Sequence, residues 1–277
     1  MHLIHLIKST VLASVFVIMP LSGCETVPAT GERQLNFLTQ SEEIAIGEEA
    51  APQFREEYGG QLDIPQVNEY VSQLGQRMAA ESERPDLPWE FTVLDSEQIN
   101  AFALPGGKVF ITRGLISKFD NEAQLAGVLA HEIGHVTGLH INQQMSRSML
   151  LQAGLSAAGA ATESQWVEVI GGVGGQVYML SFSRDQESEA DELGLRYMTN
   201  LGYDPRGMLQ VLQVLKEAGG SAGGIEFLQT HPLPQTRIER VERLVSREYA
   251  FAVDSPDYVL GREAYQQNVL QPLAAQQ

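Results

Sequence analysis

Cysteine is almost absent from this 277-residue chain, where Cys24 is the only thiol. One cysteine closes no disulfide within the chain and builds no thiolate zinc site, so any metal must be held by histidine and carboxylate. Positive charge is also scarce: 18 Lys and Arg stand against 35 Asp and Glu, a formal net charge of −17. Affinity for a phosphate backbone comes mainly from Lys and Arg, so charge argues for no nucleic acid among the partners. Histidine is rare, with six residues in all, and any clustering of it therefore carries information. A long apolar run is missing too. The longest, Ser9 to Pro20, spans roughly 18 Å as a helix, well short of the ~30 Å hydrocarbon core of a bilayer. What remains is ordinary globular composition, 43% hydrophobic, enough for one sizeable core.

That apolar run begins just after Lys8, the only charged side chain before Glu25, and is followed by Leu21-Ser22-Gly23-Cys24. The pattern reads as a signal peptide over residues 1–23. Small residues ahead of a cysteine resemble a bacterial lipobox, which makes Cys24 the expected lipidation site and the lipid anchor the expected contact with a membrane. Glu25 is not the aspartate that resembles an inner-membrane retention signal. The expected location is therefore the bacterial outer membrane, on its periplasmic face. Residues 24–38, with Pro28 and Gly31, are expected to be a tether.

The body is expected over residues 39–247, with 248–277 as a C-terminal extension packed on it or trailing from it. Thr39-Gln40-Ser41-Glu42 has capping-box spacing for a helix to about Tyr58, and Val67, Tyr70, Val71, Leu74 and Met78 mark a second from about Pro65 to Ser82. The period then shortens. Trp89 to Leu94, Ala101 to Leu104 and Lys108 to Thr112 predict a small sheet of about three strands, turned at Pro105-Gly106-Gly107. Helical patterns follow at about 122–141, 143–160, 184–200, 206–217 and 234–246, with Gly-rich joints at 171–175 and 219–224. The fold class is α+β, mainly helical. The apolar, Gly- and Ala-rich stretch Met149 to Leu180 is expected to be core plus a lid.

Three of the six histidines fall within ten residues, His131-Glu132-Ile133-Gly134-His135 and then His140. On a helix, four residues leave His131 and His135 only about 40° apart, so two imidazoles can bind one cation. Glu132, beside the same face, can take a proton from water without being a ligand, which is the mechanics of a His-Glu-x-x-His hydrolase. A third ligand is needed. His140 is one residue too early for the metzincin pattern, and on an unbroken helix it lies about 180° from His131, which predicts a surface or capping role. Glu187 and Asp191, four apart on a later helix, are better placed: one carboxylate reaches the metal while the other accepts from a ligand histidine's second N–H. Glu189 and Glu192 fall on other faces and read as solvated acids.

Asn100-Ala101-Phe102-Ala103-Leu104-Pro105-Gly106-Gly107, His131-Glu132-x-x-His135, Ser183-Arg184-x-x-Glu187-x-x-Ala190-Asp191 and Thr230-His231-Pro232 together resemble the successive motifs of the HtpX and CAAX-prenyl-endopeptidase family of zinc metallopeptidases. Within it the chain looks most like the periplasmic BepA- and LoiP-like members, without room for a tetratricopeptide domain. The resemblance implies a zincin-like (gluzincin) fold, one Zn2+ per chain on His131, His135 and Glu187, Glu132 as general base and Asp191 supporting a ligand. It gives His231 two candidate roles, a fourth metal ligand that holds the enzyme off or an oxyanion stabiliser. Asn100, Ala103 and Arg237 are the expected substrate contacts, Arg237 with the alternative of pairing with an acid, and the strand Lys108 to Thr112 offers its edge to an extended chain. The implied activity is a lipid-anchored endopeptidase acting on misfolded or unassembled periplasmic and outer-membrane proteins, with the outer-membrane β-barrel assembly machinery as a partner. The alternative is a chaperone-like assembly factor with a mostly self-inhibited zinc site.

Overall fold

In a computed structural model, residues 24–157, 181–220 and 225–276 are described, with no side-chain detail for 152–157. The expected signal peptide, the Gly171–Gly175 joint and most of the expected lid lie outside them. Among the described residues no helix is long and apolar enough to cross a membrane.

The chain opens with a short antiparallel pair, β1 (Cys24–Thr26) and β2 (Arg33–Leu35). Helix α1 (Gln40–Glu57) follows, capped by Thr39 and Glu42 in the reciprocal box that their spacing predicted. Helix α2 (Pro65–Ala80) buries Val67, Val71, Leu74 and Met78, the predicted stripe. The three expected strands form: β3 (Glu90–Leu94), β4 (Ala101–Leu104) and β5 (Lys108–Thr112). Their order is β3-β5-β4, parallel between β3 and β5 and antiparallel between β5 and β4. Gly106 and Gly107, at φ of 75° and 87°, turn the chain between β4 and β5. A Cβ on Gly106 would lie 2.7 Å from the Ile44 backbone, so this turn needs glycine on both counts.

A short turn, α3 (Arg113–Ile116), leads to α4 (Glu122–Thr137), which starts on an Asn121 cap and is buried from Ala123 to Thr137. Next come α5 (His140–Ala157), α6 (Arg184–Asn200), α7 (Arg206–Gly219), α8 (Phe227–Thr230) and α9 (Gln235–Arg247). Helix α4 is the axis of the molecule, packed against α2, α6, α7 and the sheet. The result is the mainly helical zincin-like architecture expected of the sequence, with the small sheet beside the helix that carries His131 and His135.

Three expectations are corrected. The segment expected as a tether forms the β1–β2 pair and docks on the body: Val27 is buried, Gln34 Nε2 donates to the Gly138 carbonyl (2.6 Å), and Phe37 N–H donates to Ser146 Oγ (2.9 Å). The helix expected over 122–141 stops at Thr137, because Leu139 takes a left-handed conformation at φ 55°. Finally, β5 is the central strand, paired on both sides, so it has no edge to offer an extended chain. The C-terminal residues pack on the body through Tyr265, whose hydroxyl donates to the Ile116 carbonyl (2.6 Å), and through buried Val269 and Leu273.

Candidate metal centre

The site lies where α4 and α6 approach most closely. Gly134, in the turn between the two histidines, permits this: a Cβ there would meet the Ala190 carbonyl oxygen at 3.0 Å and its Cα at 3.1 Å. Ser183 caps α6 in a box with Gln186, fixing the first turn from which Glu187 points inward. His231, at the end of α8, stacks on Phe227 with ring centroids 4.3 Å apart. All four side chains, His131, His135, Glu187 and His231, are buried, and one ligand atom from each lies within 4.8 Å of the others.

The spacing suits a small ion. His131 Nε2 and His135 Nε2 are 3.1 Å apart, His135 Nε2 is 3.3 Å from Glu187 Oε1, and His131 Nε2 is 3.6 Å from Glu187 Oε2. A tetrahedral site with bonds of about 2.0–2.1 Å, the usual zinc–imidazole and zinc–carboxylate lengths, has edges of about 3.3–3.4 Å. The donor set of imidazole and carboxylate is the one that the lone thiol left available.

Support for these groups comes from outside the cluster. Asp191 Oδ1 is 3.0 Å from His131 Nδ1, leaving the opposite ring nitrogen to face the cluster. Arg237 donates Nε to Asp191 Oδ2 (2.6 Å), Nη2 to Asp191 Oδ1 (2.7 Å) and Nη1 to Glu187 Oε2. Arg237 is therefore a buried strut between two acids, the second of its two expected roles, and is not exposed for the first. Burial drives the Glu187 and Asp191 carboxyls up, but the adjacent Arg237 charge and their hydrogen bonds outweigh it, and both are held below the usual carboxylate range. Burial also pushes the His135 imidazole well below its ordinary value, keeping it neutral as a ligand must be. For His231, burial is overcome by the Glu187 and Glu132 charges, which raise its value.

Glu132 differs from the other acids. It is fully buried, and neither of its carboxylate oxygens has a hydrogen-bond partner among the described residues. Burial raises its value, against the pull of His231 and His131. His231 stands over it, Nε2 3.7 Å from Oε1, while His231 Nδ1 is 2.9 Å from Glu187 Oε1.

Of the expected substrate contacts, Asn100 is buried: its side chain donates to the Tyr58 hydroxyl (3.1 Å), its backbone N–H donates to Thr112 Oγ1 and its carbonyl accepts from the Thr112 N–H, contacts that hold the start of β4 to the neighbouring elements. Ala103 lies on edge strand β4 but is only 9% exposed. His140 does not face solvent or cap a helix. It is buried, with Nδ1 2.9 Å from His135 Nδ1. Phe182, also missed, stacks on the His135 ring at 3.8 Å. The available signal for His140 was Gly138, a helix-stopping residue just before it.

Two histidines on one helix, a carboxylate facing them from a second and a buried acid beside them make a zincin-like arrangement of the gluzincin type. Residues 65–245 match peptidase family M48, and the chain belongs to that family. It is 30% identical over 245 residues to a beta-barrel assembly-enhancing protease of Escherichia coli (strain K12), covering 85% of this chain and 50% of the relative. Its counterpart in Yersinia pestis is 31% identical over 260 residues, covering 83% and 51%. The mitochondrial metalloendopeptidase OMA1 of Schizosaccharomyces pombe is 32% identical over 224 residues, covering 79% and 65%. The chain thus spans about half the length of the bacterial relatives it matches.

Proposed function

We propose that the chain is a zinc-dependent endopeptidase whose general base is Glu132. The observation that carries this is the Glu132 carboxylate itself, buried and unpartnered beside a cluster of three imidazoles and a carboxylate. A group left so costly to bury is kept for a reaction partner. His131, His135 and Glu187 would hold the ion. Bound zinc supplies a Lewis acid for a peptide carbonyl and makes water more acidic. Glu132, its proton affinity raised by burial, takes a proton from the attacking water and returns it to the leaving amine nitrogen. Asp191 orients His131, and Arg237 keeps both helical carboxylates in place. His231 faces the same space and is positioned either to occupy a fourth ligand position or to stabilise the oxyanion.

The substrate and setting extend this reading. Named relatives that assist β-barrel assembly support misfolded or unassembled outer-membrane proteins as substrates, and the lipobox-like Leu21-Ser22-Gly23-Cys24, with Cys24 exposed, supports a lipid anchor on the periplasmic face of the outer membrane. A second reading, a chaperone-like assembly factor with little proteolysis, is favoured by His231, which already lies against Glu187 and Glu132.

Casein hydrolysis by protein without residues 1–24, with and without a chelator, tests the chemistry. Cleavage by wild type that is lost on chelation, and lost in Glu132→Gln with zinc retained, is the expected outcome; faster cleavage by His231→Ala assigns that residue to inhibition. No cleavage by any form, with normal assembly support from Glu132→Gln in cells, would favour the assembly factor. Trapping of unfolded outer-membrane polypeptides by Glu132→Gln checks the substrate class, and its absence removes it.

A further inference from the structure

The two ligand histidines are supported in different ways. His131 has a carboxylate directly on its Nδ1, that of Asp191 at 3.0 Å. His135 has none there: its Nδ1 faces the Nδ1 of His140 at 2.9 Å, and no other side-chain hydrogen bond to that nitrogen exists among the described residues. Beyond His140 stands Glu189, with Oε1 3.5 Å from His140 Nε2. That nitrogen is buried and has no hydrogen-bond partner among the described residues, so Glu189 is the nearest acceptor that the structure offers it.

The protons of this chain can be placed by elimination. For His135 Nε2 to present its lone pair to the cluster, the ring proton must sit on Nδ1. It then donates to His140 Nδ1, which must be bare. The single proton of a neutral His140 is thereby forced onto Nε2, toward the Glu189 carboxylate. Every position is determined once the first is fixed, and the end of the chain is an acid able to accept. We infer that His140 and Glu189 are positioning residues that lock His135 in the tautomer offering Nε2 to the metal, one link longer than the direct Asp191–His131 contact. This rests on the metallopeptidase reading above.

The backbone is built around that contact. On an unbroken helix, five residues would separate His135 and His140 by about 140°. Leu139 at φ 55° breaks the helix and returns His140 to the side of His135, a conformation that is unfavourable for a non-glycine residue. Strain of this kind persists where the surroundings over-determine it. Here Leu139 is buried and the preceding Gly138 carbonyl accepts from Gln34.

The test is zinc affinity, measured by competition with a fluorescent chelator on the full chain in detergent, in a Glu132→Gln background so that catalysis plays no part. His140→Leu removes the acceptor and is expected to weaken zinc binding 10- to 100-fold. His140→Asn, whose side-chain oxygen can stand where Nδ1 stood, is expected to remain within about threefold of wild type, by the same hydrogen-bond reasoning. Glu189→Ala, at a half-buried position that threatens folding less, is expected to lose roughly 2- to 10-fold, less than a direct partner does. Wild-type affinity in His140→Leu, or equal losses in His140→Leu and His140→Asn, would overturn the inference, since the second pattern is that of simple packing. Should His140→Leu not fold, wild-type affinity in Glu189→Ala would overturn it alone. Failure of wild type itself to bind zinc would defeat the metallopeptidase reading, a different result from unchanged affinity in the variants.

Discussion

The two flanks of α4 are opposites. Toward α6 and α9 lie Glu187, Asp191 and Arg237, three buried charges joined to one another and to the histidines. On the side of the sheet the packing is mainly apolar, in a buried core that includes Leu104, Val109, Phe110 and Ile111. The apolar flank draws its stability from area and fit, which tolerate modest change. The charged flank is stable only while every member is present, because one missing partner leaves another charge buried alone. Chemistry is thus confined to the side where packing is least forgiving.

Arg237→Met attacks the charged flank at its centre and leaves two carboxylates uncompensated, so a loss of about 3–5 kcal/mol is expected in urea unfolding of the metal-free protein. An unchanged midpoint would mean that the flanks do not differ as described. Leu104→Ala attacks the other side. It should cost about 2–5 kcal/mol through the cavity it leaves, yet keep zinc affinity at the wild-type level, which chelator competition would read. Removing the metal sharpens the contrast without a mutation: zinc at a hundred times its dissociation constant should add about 2.7 kcal/mol over the chelated protein, visible as a shift in thermal midpoint. Gly134→Ala forces a methyl against the Ala190 backbone, and should lower stability by about 1–3 kcal/mol and zinc affinity with it, as the two ligand-bearing helices part. The smallest effect belongs to Arg240→Ala. Arg240 is one turn from Arg237 and pairs with Glu192, but both are nearly half exposed, so less than about 1 kcal/mol is at stake.

How much of this could be read beforehand followed from distance along the chain. His131, Glu132 and His135 share one helical turn, and Glu187 and Asp191 share another, so periodicity alone placed each set on one face. The three strands and the Thr39–Glu42 capping box were legible for the same local reason. His140 was legible only in part: Gly138 marked a helix stop, but the direction of His140 depends on a single dihedral angle at Leu139, where a non-glycine residue advertises no left-handed turn. Arg237 was left between substrate and an acid partner, because its burial between Glu187 and Asp191 is a property of two helices meeting. The edge assigned to Lys108–Thr112 failed on strand order, which the sequence of turns does not determine. Residues 24–38 looked like a loose segment by composition, and their pairing depends on surfaces supplied by α5 and the end of α4.

That last difference governs how the protein can stand. A free 15-residue leash would let its end wander roughly 20 Å. With Cys24 paired to Leu35 and the strand pair fastened beside Gly138 and Ser146, Cys24 is fixed to the body. If Cys24 carries the proposed anchor, the enzyme would meet the membrane in one orientation, as a bracket does a wall. A pull on that point would arrive first at the joint between α4 and α5, a few ångströms from His135.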